Sequence, residues 1–296
     1  MIKSKLIPSC LALGGMALFS GISTALAQPI VAGHYPAGAE GIKAASLPPP
    51  GVYFRDYSMF YTADKFKDVP VDMHIAAYVN APRLIWMTDL EILGANYGMD
   101  VIVPFGQLNW KVGGASDSDF GLGDLQIEPL LLSWHFQQFD LAAGYAIWAP
   151  SGDFELNKPD VIAKGFWSHM LTFGGTWYLD QDKTWALSLL NRYEFAHRQQ
   201  NTHIKPGQVY TLEAGFSKSV NQGLDLGLIG YYQQQTTKDS GATATNKRDR
   251  KFGVGPEINA FWPDAKLFVS LRYAYEFGAV ERPEGRLFTL TLTKLF

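Results

Sequence analysis

Ionisable side chains in this chain recur at every second position of strand-like runs and keep to one parity within each run. Arg192 and Glu194 share a side with Ser188, while Trp185, Leu187, Leu189, Tyr193 and Phe195 take the other. Glu213 lies with Thr211 and Ser217 against Tyr210, Leu212, Ala214 and Phe216; Ser270, Arg272 and Glu276 oppose Leu267, Val269, Leu271, Tyr273, Tyr275 and Phe277. Carboxylates and guanidinium groups crowded on one face line a polar interior, where they pair and stiffen the wall or meet a passing solute. The candidates for such a lining are Asp72, His74, Tyr78, Asn96, Asp124, Glu128, Arg192, Glu194, Glu213, Tyr231, Glu257, Arg272 and Glu276. Acids outnumber bases among them, which argues against a conduit for phosphate or other anions. Aromatics on the same parity, Trp134, Trp148, Tyr178, Phe261 and Phe268 included, would suit weakly polar aromatic solutes or simply fill the interior.

Patterns for catalysis are weak. Gly215-Phe-Ser217-Lys-Ser219 comes nearest to a nucleophile elbow, but it lacks the closing Gly and lies along a strand. There is no H-E-x-x-H, Walker or EF-hand loop, and the six histidines, His34, His74, His135, His169, His197 and His203, lack ligand spacing. Asp117, Asp119 and Asp124 in a Gly-rich stretch would make a calcium loop or, more simply, a solvated turn. No catalytic residue, metal or cofactor is assigned. An enzyme acting on lipid would need a Ser and a His together on a lipid-facing rim, which spacing alone leaves open.

The elements that carry these residues alternate with a period of two, as strands do when lipid lies on one side and a polar lumen on the other. About twelve such strands are expected, at 52–62, 71–88, 93–104, 122–136, 139–149, 166–179, 184–196, 207–220, 223–237, 249–262, 265–278 and 284–296. Pro82 is expected to cause a bulge, with a change of parity near Arg83. The connections Thr88 to Ile92, Gln137-Gln138, Asp180 to Lys183, Asn221-Gln222 and Pro263-Asp264 are short; Gly106 to Gly121, Pro150 to Gly165 and Lys238 to Arg248 are long and polar. Short inner turns alternating with long outer loops are the asymmetry of a barrel whose N-terminus is periplasmic. Trp134, Phe136 and Phe139, then Trp177, Tyr178 and Trp185, then Phe261, Trp262 and Phe268 gather at the short-turn ends like an interfacial girdle, although a soluble β-protein would bury the same residues.

The two ends of the chain point to a compartment. Met1-Ile-Lys-Ser-Lys followed by an apolar stretch and Ala25-Leu26-Ala27 reads as a signal peptide over 1–27, with an uncleaved anchor as the alternative. Cys10 is the only cysteine and lies within it, so a processed chain has no thiol chemistry. Loss of Lys3 and Lys5 would leave 23 basic against 28 acidic residues, a net charge of −5, which is no footprint for nucleic acid. At the other end Phe288, Leu290, Leu292 and Phe296 oppose Thr289, Thr291 and Thr293, with Lys294 interrupting the apolar face. A closing strand that ends in Phe296 suits the barrel assembly machinery of bacterial outer membranes. The fold class expected is therefore all-β, a transmembrane antiparallel outer-membrane β-barrel over 52–296. A secreted β-sandwich is the alternative, and it accounts for neither the terminal Phe nor the long strands.

Residues 28–51 precede the first strand and contain Pro48, Pro49 and Pro50, which favour an extended conformation outside any sheet. They are expected to form a periplasmic tail or a plug in the lumen, with Tyr35, Glu40, Lys43 and the three prolines as the plug candidates. The run from Gly33 to Tyr53, Asn80-Ala-Pro-Arg-Leu-Ile-Trp86, Leu93-Gly-Ala-Asn-Tyr-Gly98, Gly121-Leu-Gly-Asp-Leu125 and the Thr-Lys-Leu-Phe ending resemble the SphA-like outer-membrane proteins assigned to the meta pathway of phenol degradation. That resemblance covers essentially the whole chain after the signal. It implies an outer-membrane barrel that admits hydrophobic or aromatic small molecules to cells that degrade them, and the chain is expected to be a monomer bathed in outer-membrane lipid. A barrel enzyme acting on lipid and a structural or adhesion barrel are the other readings.

Overall fold

Alternation carries through the chain as fourteen β-strands in one antiparallel sheet. They are β1 (Gly51–Phe66), β2 (Met73–Ile92), β3 (Ala95–Ile102), β4 (Phe105–Val112), β5 (Ala115–Leu122), β6 (Leu125–His135) and β7 (Phe139–Ala149), then β8 (Ser168–Tyr178), β9 (Trp185–Ala196), β10 (Val209–Asn221), β11 (Leu224–Gln235), β12 (Arg250–Trp262), β13 (Leu267–Val280) and β14 (Pro283–Leu295). The structure, a computed structural model, describes residues 33–66, 72–156, 158, 161–202, 204–241 and 248–296. The expected signal peptide, residues 28–32 and His203 lie outside the described residues.

Twelve of the strands close into a barrel. The order runs β1-β14-β13-β12-β11-β10-β9-β8-β7-β6-β3-β2, and β2 returns to β1. Closure removes every free edge within the wall, the condition for strands to cross a membrane with all backbone groups paired. β4 and β5 are the addition. The long loop expected over Gly106 to Gly121 is instead a hairpin, turned at Gly113-Gly114 with φ of 56° and 89°, that stands on the outer half of β2. Two successive left-handed residues match the twist of the strands, and glycine takes that conformation without strain.

A second correction concerns Pro82. Pairing of β1 with β2 runs unbroken from Gly51↔Met87 to Ala63↔Ile75, with Asp56 opposite Pro82, so neither bulge nor parity change occurs there. Pro82 sits where β2 changes partner, between Asn80↔Phe105 of β4 and Arg83↔Ile102 of β3, so its missing N–H deprives no ladder. Its carbonyl accepts from Val103 N–H at 3.2 Å. Odd positions of β2 therefore face inward throughout, from Met73 through Ile75, Ala81, Arg83 and Ile85 to Met87. Alternation was hard to read here because the outward face of these strands is itself polar: Asp56 accepts from Asn80 at 2.9 Å and from Ser58 at 3.3 Å.

Elsewhere the outward face is apolar. Leu171, Phe173, Leu189, Leu226, Leu228, Val254, Ile258, Leu271 and Tyr273 are all exposed, an arrangement that only a hydrocarbon surround makes favourable. Phe136, Phe139, Trp177, Trp185 and Trp262 are exposed at the short-turn end, where an aromatic girdle belongs. Thr289, Thr291 and Thr293 are buried inward on β14. Lys294 faces outward and reaches the carbonyl of Ala265 in the adjacent short turn, keeping its charge at the interface. Phe296 N–H donates to Val52 at 3.2 Å, tying the last residue to β1 where the barrel closes.

Candidate functional site

Inside the barrel lies the chain's own segment 33–50. It leads from the short-turn end, where Tyr53 donates to the Pro49 carbonyl at 2.8 Å, to the outer end, where His34 meets β8 and β9. An irregular backbone in a lumen needs outside partners for its polar groups. The wall carboxylates supply them. Glu194 accepts from His34 N–H at 2.9 Å, Glu213 from Gly38 N–H at 2.9 Å and Glu40 N–H at 3.2 Å, and Glu257 from Ile42 N–H at 2.6 Å. In return Gln233 and Arg272 donate to the carbonyls of Tyr35 and Ala39 at 2.9 and 2.6 Å. Ala45 N–H donates to Ser188 at 3.1 Å, and Lys43 pairs with Asp225 at 2.8 Å. A Cβ at Gly41 would land on the Glu257 carboxylate, so only glycine lets the backbone approach that closely.

Glu40 is the electrostatic centre. Its carboxylate lies 3.4 Å from Arg55, 3.3 Å from Arg83 and 3.8 Å from Arg192, and Tyr57 donates to it at 2.8 Å. Arg83 also pairs with Asp100 and with Glu128 at 3.3 Å; Arg192 pairs with Glu213 at 2.6 Å and covers the Tyr35 ring at 4.1 Å. Tyr35 donates to Glu213 at 2.6 Å. The result is one connected network that spans segment and wall.

At the outer end His34 stacks on Trp148 at 5.1 Å between Glu194, 2.8 Å from Nδ1, and Asp124, 3.2 Å from Nε2. Burial opposes its protonation, but the two carboxylates outweigh this and raise its pKa above the ordinary 6.5. Asp124 also accepts from the backbone N–H groups of Gly152, Lys164 and Gly165 at 3.1, 2.7 and 3.1 Å, so it fastens the loop after β7. Ser168, the first residue of β8, lies 2.9 Å from His34 Nδ1 and donates to Glu194 at 2.7 Å. Its side chain is wholly buried inside the lumen, which makes the Ser and His a fastening and not a lipid-facing pair.

Between this segment, β1, β2, the β4–β5 hairpin and the loop after β7 lies a cavity of about 380 Å³. Met59, Ile75, Val79, Leu108, Trp110, Val112, Phe154 and Ile162 form its apolar wall, and Glu40, Arg83, Glu128 and Arg192 its polar floor. A mostly apolar cavity with a few convergent polar groups is the ordinary form of a small-molecule site.

Of the lining candidates, Asp124, Glu128, Arg192, Glu194, Glu213, Tyr231, Glu257, Arg272 and Glu276 are buried on the inward face, and Asn96 lies inward opposite Ser133 near the short turns. Three others do not point there. Asp72 is exposed ahead of β2, His74 is exposed and bonded to Asp64 at 2.6 Å, and Tyr78 packs on the outward Phe60 with ring centroids 4.8 Å apart. Their assignment followed the parity change expected at Pro82, which does not occur. Trp134 also faces outward, in register with Leu141. Sequence reading missed Arg55, Arg83 and His34. Arg83 was legible once β2 keeps one parity, whereas nothing in the spacing brings His34 to Asp124 and Glu194, 90 and 160 residues away.

A closed twelve-strand barrel with an apolar belt, threaded by its own N-terminal segment, is an outer-membrane β-barrel, and its place is the bacterial outer membrane. The sequence profile of the family described as "Putative MetA-pathway of phenol degradation" matches residues 60–292, and the chain belongs to that family. Among solved structures it is similar to an outer membrane channel from Pseudomonas putida F1, with a TM-score of 0.76 and 17% identity over 88% of this chain and 99% of that one. The translocator domain of the autotransporter NalP from Neisseria meningitidis shares the barrel at a TM-score of 0.52 and 10% identity, over 86% of this chain and 91% of that one. No curated protein matches the sequence significantly.

Proposed function

We propose that the protein is an outer-membrane channel for the uptake of hydrophobic or aromatic small molecules, with segment 28–51 as its plug. The observation that carries this reading is the apolar cavity of about 380 Å³ on the outer side of the threaded segment. A solute lodged there is stopped by the layer of Glu40, Arg83 and Arg192, so passage requires the segment to shift. The wall carboxylates hold the plug and do not line an open pore. Family membership and the channel fold support the same reading. Barrel lipid surrounds the protein, and the Phe296 terminus serves its assembly.

The experiment is uptake by a deletion strain. Loss of the gene is expected to slow accumulation of, and growth on, aromatic compounds at limiting concentration, with restoration by the intact chain. Normal uptake of a panel of aromatic and aliphatic compounds by the deletion strain would overturn the reading. Hydrolysis of lipid esters or amides by the purified barrel would establish the enzymatic alternative.

A further inference from the structure

One arc of the barrel's outer end exposes bases and hides its acids. From the end of β9 to the outer part of β14, Arg198, Lys205, Lys238, Arg248, Arg250 and Arg286 are exposed. Among the described residues the acids of the same arc, Asp239, Asp249, Glu281 and Glu284, are half-buried or buried. Two of them fasten backbone: Asp239 accepts from Gly207 N–H at 2.8 Å and Glu284 from Ala279 N–H at 3.2 Å. None of the six exposed bases makes an ion pair among the described residues, whereas Arg192, Lys251 and Arg272 inside the lumen each do. Arg248 donates to the neutral Thr236 carbonyl at 2.8 Å, which leaves its charge uncompensated. The exposed acids of the outer end, Asp64, Asp72, Asp117, Asp153 and Glu155, stand on the rest of the rim.

Ring contacts place this arc against the lipid boundary, independently of charge. Outward Tyr210, Tyr232, Phe252 and Phe277 meet in succession across β10 to β13, with centroids 6.5, 4.8 and 5.7 Å apart. Such a row of outward aromatics marks a membrane interface. Arg250 stands on the same face of β12 as Phe252 and Val254, two and four residues nearer the short turns. Arg286 stands likewise on β14 ahead of Phe288 and Leu290. The two arginines flank β13, which exposes Tyr273, Tyr275 and Phe277 between them. Uncompensated cations therefore cap side chains that face hydrocarbon, and a partner that meets both surfaces joins an anion to an apolar chain.

We propose that this arc binds a phosphorylated lipid of the outer leaflet, its phosphate groups on Arg248, Arg250 and Arg286 and its acyl chains along Val254, Tyr273, Tyr275 and Phe277. Guanidinium groups match phosphate oxygens in geometry as well as charge. Basic side chains at a membrane surface draw anionic lipid toward them. A soluble anion would leave the aromatic row without a partner, and a neutral lipid would leave the bases without one. The acids exposed on the hairpin and the loop after β7, beside the cavity, repel the same head groups, so the bound lipid is confined to one side of the barrel.

Native mass spectrometry tests it, on the full chain in detergent micelles titrated with diphosphoryl lipid A and with the same lipid after enzymatic dephosphorylation. The phosphorylated form is expected to bind at least about tenfold tighter. Arg250→Gln combined with Arg286→Gln is expected to remove about tenfold of that affinity, while Lys294→Gln, outward at the opposite interface, leaves it unchanged. Heat-modifiable migration monitors the barrel, and the ratio between the two lipids in the unaltered protein decides the matter even if a variant does not assemble. Equal binding of the two lipids would overturn the proposal. So would a paired variant that, in a folded barrel, loses no more affinity than Lys294→Gln. Displacement of the lipid by equimolar glucosamine 1-phosphate would overturn it too, by making the site one for a soluble anion. The uptake reading stands or falls separately from each of these results.

Discussion

Neutralising Glu40 should loosen the threaded segment and spare the wall. Its carboxylate is shared by Arg55, Arg83 and Arg192 and accepts from Tyr57, and a buried charge with such partners contributes about 3 kcal/mol. Glu40→Gln keeps the volume and an acceptor for Tyr57, while Arg83 retains Asp100 and Glu128 and Arg192 retains Glu213. The docked segment should therefore lose about 2–3 kcal/mol, which raises the undocked fraction roughly 30- to 150-fold. A cysteine at Ala37, 2% exposed, reports that fraction, since Cys10 is the chain's only cysteine and lies in the expected signal peptide. The assay is the rate of maleimide labelling of Ala37→Cys in liposomes, with and without Glu40→Gln, alongside unheated and boiled gel migration to monitor the barrel. A labelling rate that changes less than about threefold would refute the reasoning. So would a loss of heat-modifiable migration, because Glu40 would then be holding the wall and not the segment.

Other expectations follow from the same geometry. His34 has a raised pKa, so its contribution is complete below pH 6.5 and is lost as pH rises through its higher value in the folded protein; protease access to the outer end of the segment should increase on the alkaline side, and His34→Gln should abolish that dependence. Arg83→Met strands Asp100 and Glu128 in the buried lumen, leaves Glu40 only Arg55 and Arg192, and should destabilise the barrel by about 3–5 kcal/mol, read as a lower temperature of gel-mobility conversion. Leu228→Arg places a charge in the lipid-facing belt and should cost about 2–4 kcal/mol in urea titration of the liposome-inserted protein, whereas a polar exchange at the buried, inward Thr289 should cost less.

The barrel was largely legible because lipid outside and polar groups inside impose a period of two, and that period is written residue by residue. Inward Arg192, Glu213 and Arg272 and outward Leu189, Leu228 and Leu271 follow from counting parity. The count failed in β1 and β2, where Asp56, Ser58 and Asn80 make the outward face polar and alternation no longer distinguishes the two sides. It also could not distinguish a hairpin from a loop at Gly106 to Gly121, since both leave Gly113 and Gly114 in a turn.

By itself, the sequence determined the class of protein, the barrel and the parity of most of its wall strands, because each of these depends on neighbours two residues apart. Only the tertiary structure decided what the lumenal charges do. Closure of β1 on β2 and β14 brings Glu40 beside Arg55, Arg83 and Arg192, and His34 between Asp124 and Glu194. Those contacts join residues as far apart as 160 positions, and no local period encodes them. The same closure gathers Met59, Ile75, Val79 and Leu108 over Glu40, Arg83 and Arg192 as one cavity. Which atoms face a cavity depends on closure of the sheet, and composition cannot carry that information.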